Sequence, residues 1–387
     1  MSEKNSLLLI QNADVYAPNH LGKKDVLICK NHILAIADQL SVPNLSCRVI
    51  DAVDQYLVPG LIDQHVHVTG GGGEGGFHTR APEIQLSELI KGGITTVVGL
   101  LGTDGSTRSV ENLFAKTLAL NEEGITAYMM TGAYNYDGPT ITGSPDRDIL
   151  FIEKVLGVKL ALSDHRSSNI TTQELISLAS KARVAGMLSG KPGVVILHMG
   201  SGKRGLQPVF EAVKTSDVPV GVFRPTHVGR ADTLREQAYE LLKIGGYADF
   251  TCDSQKVGEA SRHILEAIRR GLPTSHITVS SDGQGSWSTY DNAGNLLEIG
   301  VSGVESMLRE LRCLVLENSV SLESALPFFT ENVAKSLGFG KNKGIISEGA
   351  DADLLLLDKA MELDTVIAKG SVLMENGTLL RKGTYES

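Results

Sequence analysis

Between residues 59 and 343, short apolar runs alternate with stretches whose apolar residues recur every three or four positions. The runs at 61–67, 95–101, 125–132, 155–162, 194–199, 218–227, 247–252 and 277–282 have the length and near-continuous apolarity of strands buried on both faces. Helical periodicity marks 84–91, 110–122, 172–185, 206–215, 233–243, 259–270, 304–316 and 322–336. Eight such units predict a parallel sheet closed into a TIM-like (β/α)8 barrel, although an open doubly wound sheet uses the same local code. The flanks have a different rhythm. Short strands are expected at 7–10, 25–29, 33–37 and 48–51, and again at 352–358, 365–368 and 371–374, with turn residues such as Asn376-Gly377 between them. Neither flank closes a core alone, so both chain ends are expected to meet in one small β-sandwich domain. The predicted division is 1–58 together with 344–387 for that domain, and 59–343 for the barrel.

With 387 residues, 42% of them hydrophobic, the chain has ample material for these cores. The net charge of −9 and a pI near 5.6 argue against a nucleic-acid partner. Cys29, Cys47, Cys252 and Cys313 are widely spaced and lack a CxxC signature, so they read as free or buried thiols in a reducing compartment. The first residues are polar, without a signal-type apolar core, and no apolar run is long enough to span a bilayer. A cytoplasmic setting with no membrane partner is the expectation.

Candidate chemistry gathers where the strand-like runs end. In a (β/α)8 barrel those ends carry the functional groups. The first run closes on His65-Val-His67, whose imidazoles share one face of a strand and suit a metal ion; two polar residues at a strand end fit as well. A glycine-rich loop carrying one acid, Glu74, follows. Later runs end at or near Thr103, Tyr134, Lys159 with Asp164-His165-Arg166, His198, His227 with Arg230, and Asp282. Taken singly, His198 or His227 fits a hydrogen-bonded structural histidine, Asp282 a turn cap, and Lys159 an ammonium reaching the rim. Jointly, four histidines, a lysine and an aspartate at one mouth point to a metal centre. His20, His32, His78, His165, His263 and His276 share no focus and are expected on the surface or in supporting positions. A lysine ammonium is repelled by cations, whereas its carbamate is anionic and can bridge two metals. Burial favours the neutral amine from which a carbamate forms. An unmodified Lys159 paired with Asp282 is the alternative.

These residues resemble the amidohydrolase superfamily and, within it, the isoaspartyl dipeptidases (β-aspartyl-peptidases). The resemblance runs nearly end to end through PGLIDQHVHVTGGGGEGG, TTVVGLLGTDG, MMTGAYNY, GVKLALSDHRSS, KPGVVILHMG, RPTHVGR and VSSDGQGS. It implies a dinuclear zinc metallopeptidase that splits the isopeptide bond of β-aspartyl dipeptides by attack of a metal-bridging hydroxide. His65 and His67 would hold the more buried zinc, and His198 and His227 the second. Carboxylated Lys159 would bridge the two, with Asp282 as ligand and proton carrier. Tyr134 would stabilise the oxyanion, while Glu74, Thr103, Tyr134, Arg166, Arg230 and Ser286 would contact the dipeptide. A homo-oligomer is also implied, with an octamer as one candidate. The competing readings are a dihydroorotase-like enzyme acting on a cyclic amide or N-acyl amino acid, and a metal-free scaffold.

Overall fold

The computed structural model describes residues 7–252, 255–291 and 293–386; residues 1–6, at the start of the expected small domain, and 387, at its end, lie outside the described residues. The barrel strands are β1 Leu61–Val66, β2 Ile94–Gly99, β3 Thr126–Gly132, β4 Val155–Leu162, β5 Val194–Met199, β6 Phe223–Thr226, β7 Ala248–Thr251 and β8 Ile277–Ser280. They form one eight-stranded parallel sheet in chain order. Closure joins the last strand to the first: Val66 bridges Gly283, and the His67 N–H donates to Gly283 O at 2.8 Å. Every residue of β1 to β5 is buried except Tyr128, as strands covered on both faces require.

Helices cover the outside, among them Val110–Glu123, Thr172–Ser189, Asp232–Lys243 and Glu259–Arg269. The longest begins at a capping box: Thr171 Oγ1 accepts from the Glu174 N–H while the Glu174 carboxylate accepts from the Thr171 N–H. It ends at Gly190, whose φ of 69° needs a residue without Cβ. Sheet and helices bury one continuous apolar layer that includes Val97, Leu113, Leu197, Phe223 and Ile264.

The flanking strands pair into a nine-stranded sheet in which Tyr56–Pro59 lies beside Leu354–Leu357, uniting the two chain ends. This sheet has its own core, with Ile10, Val26 and Ile28 from one end and Leu354, Leu356 and Ile367 from the other. The barrel with a small β unit drawn from both chain ends is therefore the fold class the pattern predicts. Buried Lys343 pins the two bodies together, binding Asp353, Asp351 at 2.9 Å and Thr126 Oγ1 at 3.1 Å.

Two elements depart from expectation. Pro145–Phe151 is a helix of seven residues, too short to leave a clear period in the sequence, with proline in its first turn. Ser286–Tyr290 and Leu296–Val301 form an antiparallel hairpin inserted after β8, where no element was predicted. The 218–227 run is also shorter as a strand than predicted: Val220–Val222 is a 3-10 turn, and β6 begins at Phe223.

Candidate metal centre and substrate clamp

His65, Lys159 and His198 project from β1, β4 and β5, and His67 lies one residue beyond β1. His227 and Asp282 follow β6 and β8 at positive φ, 61° and 55°. Non-glycine residues rarely adopt that conformation, and here it turns both side chains back over the mouth. The four histidines and Lys159 are at most 5% exposed. Ring centroids lie 5.8 Å apart for His65–His67, 5.1 Å for His65–His227 and 4.5 Å for His198–His227. Ligand atoms of His65, His227 and Asp282 all fall within 4.8 Å of one another.

Burial disfavours the charged forms of three of these histidines and of Lys159. It drives the His65, His198 and His227 pKa values far below the ordinary imidazole value, aided by the neighbouring positive groups. It also pulls the Lys159 ammonium down to about 7. Lys159 Nζ meets His65 Nε2 at 2.8 Å, and among the described residues it forms no ion pair with Asp282. Asp282 Oδ1 instead faces His67 Nε2 at 3.1 Å and His65 Nε2 at 3.6 Å.

Metal ligation requires deprotonated nitrogens with free lone pairs. His227 Nδ1 pairs with Thr251 Oγ1 at 2.6 Å. His227 Nε2 is buried without a hydrogen-bond partner, as is His67 Nδ1. A hydrogen on His227 Nδ1, donated to Thr251, leaves the Nε2 lone pair facing the cluster, the orientation that metal-ligating histidines use. Neutral imidazoles, orphaned nitrogens and an adjoining carboxylate fit divalent cations.

Beside this cluster lies a second one, built on loops. Glu74 Oε1 accepts from Thr103 Oγ1 at 3.0 Å and from the Arg166 guanidinium at 3.1 Å, and Glu74 Oε2 accepts from Ser286 Oγ at 2.9 Å. Asp164 grips Arg166 from the other side through two 2.9 Å bonds, Nε to Oδ1 and a terminal nitrogen to Oδ2. Burial alone would raise the Asp164 pKa, but hydrogen bonds from His198 and Arg166 hold it far below the usual carboxylate range. Arg230 donates to Met199 O at 3.0 Å and comes within 3.2 Å of His198 Nε2. Tyr134 links the clusters: its hydroxyl lies 2.7 Å from His198 Nδ1, its ring lies under the Arg166 guanidinium, and burial raises its pKa.

The residues singled out at the strand ends therefore converge on this mouth together with Glu74 and Ser286, except His165, which is exposed and packs on Tyr290. Asp164 and two residues that were not singled out, Asp63 and Arg108, support them. Asp164 orients Arg166. Asp63, buried and pushed up to about 7 by desolvation, accepts from the His65 N–H at 3.2 Å and from Ser281, tying β1 to the segment bearing Asp282. Arg108 holds the Glu74 loop. An acid inside the apolar first run was a readable signal for Asp63, whereas Arg108 sits in a Ser/Thr-rich loop and gave none. Of the two places expected for His263, the surface is excluded: it is 5% exposed and packs on Phe250 and against Gly229, between His227 and Arg230.

A closed parallel barrel whose mouth gathers imidazoles, a lysine and a carboxylate is the arrangement of a hydrolase of amidohydrolase type, and the Amidohydrolase family model matches residues 217–373. The β-aspartyl dipeptidase of Fervidobacterium islandicum AW-1, solved in complex with the β-Asp-Leu dipeptide, is 42% identical, with a TM-score of 0.93 and 98% of each chain covered. A second structure of the Fervidobacterium islandicum AW-1 β-aspartyl dipeptidase gives 41% identity and a TM-score of 0.88, over 96% of this chain and 98% of that one. The dihydroorotase of Streptococcus pyogenes serotype M1 is 24% identical over 93% of this chain and 92% of its own. The chain belongs to the β-aspartyl dipeptidase family of amidohydrolases. Among the described residues, no helix is long and apolar enough to cross a membrane.

Proposed function

We propose that the protein hydrolyses the isopeptide bond of β-aspartyl dipeptides at a dinuclear zinc centre. The observation that carries this reading is the pairing of Glu74 with Arg166 at 3.1 Å, with Arg230 nearby, beside a neutral metal-capable cluster. One acid and two guanidinium groups match a substrate with one ammonium and two carboxylates. The relative solved with β-Asp-Leu supports the same substrate class.

His65 and His67 would hold one zinc and His198 and His227 the other, with carboxylated Lys159 between them and Asp282 alongside. When bound, the cations acidify water and polarise the scissile carbonyl. The neutral amine that burial favours at Lys159 is the form that adds to carbon dioxide, releasing a proton as the carbamate forms. Glu74 binds the free α-ammonium, helped by Thr103 and Ser286, and Arg166 and Arg230 take the carboxylates, for which the planar guanidinium fork is matched. Substrate must open the Glu74–Arg166 pair, and its own two charges replace the one that is lost. Tyr134, kept protonated by burial, donates its O–H to the developing oxyanion. Asp282 accepts the proton of the attacking water and delivers it to the departing amine. The free, unpaired thiols support a reducing, cytoplasmic setting.

A direct comparison of β-Asp-Leu, α-Asp-Leu and dihydroorotate on zinc-loaded protein tests the reading. Turnover of β-Asp-Leu alone is expected. Preferential opening of dihydroorotate would replace this assignment with the cyclic-amide reaction of the 24% identical relatives.

A further inference from the structure

Glu74 lies in a loop whose sequence imposes little shape. Gly70, Gly72, Gly73 and Gly76 all take positive φ, and ordering such residues carries a large entropic cost. The loop's two arms nevertheless meet closely: a Cβ at Gly70 would stand 2.1 Å from Ala81 O. Arg108 closes this contact. It sits before the helix Val110–Glu123, is 9% exposed and, among the described residues, forms no ion pair. One terminal nitrogen donates to Thr69 O, and the other donates to Ala81 O at 2.8 Å and to Gly71 O at 3.2 Å. Those carbonyls lie on both arms of the loop, before and after Glu74. The planar fork thus spans the neck, a geometry a lysine ammonium cannot reproduce. Gln284 O, accepting from the Gly71 N–H at 2.8 Å, ties the same neck to the segment after Asp282.

We infer that Arg108 is a positioning residue for substrate recognition: it staples the neck of the glycine loop, so that Glu74 meets the substrate's α-ammonium in a preformed place. This inference rests on the reading of Glu74 as the ammonium's partner. Preorganisation of this kind acts on binding, because an unstapled loop must be ordered when substrate arrives.

The test uses the zinc-loaded enzyme. Arg108→Met should raise KM for β-Asp-Leu about tenfold or more, on the scale of one or two charge-assisted hydrogen bonds, with kcat within about threefold and zinc content unchanged. Amide hydrogen exchange across 70–76 should quicken by a similar factor, with the barrel strands unaffected. Added to Glu74→Gln, the substitution should cost little more, because a displaced loop then carries nothing to misplace. Wild-type KM and exchange, or fully additive losses in the double variant, would overturn the inference. Should Arg108→Met fail to fold, Arg108→Lys gives the same readouts with a smaller effect, and unchanged exchange there is equally fatal. If Glu74→Gln itself leaves KM for free-amine substrates unchanged, the Glu74 reading fails. Rapid exchange in Arg108→Met would still uphold the staple in that case.

Discussion

At one barrel mouth, buried His65, His198, His227 and Lys159 are held toward their neutral forms, while beside them buried Asp164 and partly buried Glu74 and Arg166 pair as opposite charges. Desolvation decides the first group, outweighing even the carboxylates of Asp282, 3.6 Å from His65, and of Asp164, 3.2 Å from His198. In the second group each charge has a partner within 3.1 Å, which offsets the same desolvation. The first group rests mainly on strands and the second on loops. Rigid strands suit ligands that must converge within tenths of an ångström, and loops suit partners that substrate has to part. One mouth thus combines a site where burial disfavours charge with a site where opposite charges compensate each other.

Paired variants make the largest break in that comparison. Lys159→Ala should lose zinc and turnover together, because it removes the group proposed to lie between the two ions. Asp282→Asn should keep most of its zinc yet lose turnover by about 10²–10⁴-fold, the range for a missing general acid–base. Metal analysis beside kcat checks both. Full zinc content and activity in Lys159→Ala would remove the carbamate, and unchanged turnover in Asp282→Asn would remove its proton-transfer role. On the clamp side the expected effect is smaller. Glu74→Gln leaves Arg166 its grip on Asp164 and should raise KM for free-amine dipeptides by about 10–100-fold, the scale of one charged hydrogen bond. KM for N-acetylated β-Asp-Leu should hardly move. Equal losses on both substrates would mean that Glu74 holds the loop and not the ammonium.

The same contrast explains what could be read from the sequence. Strand period and strand ends exposed His65, His67, Lys159, His198, His227 and Asp282, because residues on regular elements inherit regular spacing. Glu74, Thr103, Arg166, Arg230 and Ser286 were assigned through resemblance, since loop positions have no period. Asp164 was noticed at a strand end without a role, because its partners Arg166, Arg230 and His198 meet it only in the folded barrel. The hairpin Ser286–Tyr290 with Leu296–Val301 interrupts the βα alternation and was not predicted, although Asp291 and Gly294 mark its turn. The choice between surface and support stayed open for His263 because its helix, Glu259–Arg269, is amphipathic and polar overall, and one histidine on its inner face leaves no trace in the period.

His263 also supplies the smallest prediction, one that separates burial from metal. It lies outside the mouth, packs on Phe250 and Gly229, and has its pKa lowered to about 4, chiefly by desolvation, with Arg235 and Arg262 assisting and Asp232 opposing. Its folded pKa is below the unfolded value of about 6.5. The unfolded chain therefore binds this proton first as pH falls, and the contribution to stability, full above pH 6.5, is lost on the way down to about 4. Within that window one proton gives a slope of about 1.4 kcal/mol per pH unit at most. His263→Phe removes the proton but keeps an aromatic ring against Phe250. Denaturant titrations from pH 7 to 4.5 should show wild type losing stability more steeply than the variant, with zinc content equal in both. Parallel curves would mean that His263 titrates normally despite its burial. The neutrality ascribed to burial at the metal cluster would then need the cations themselves to explain it.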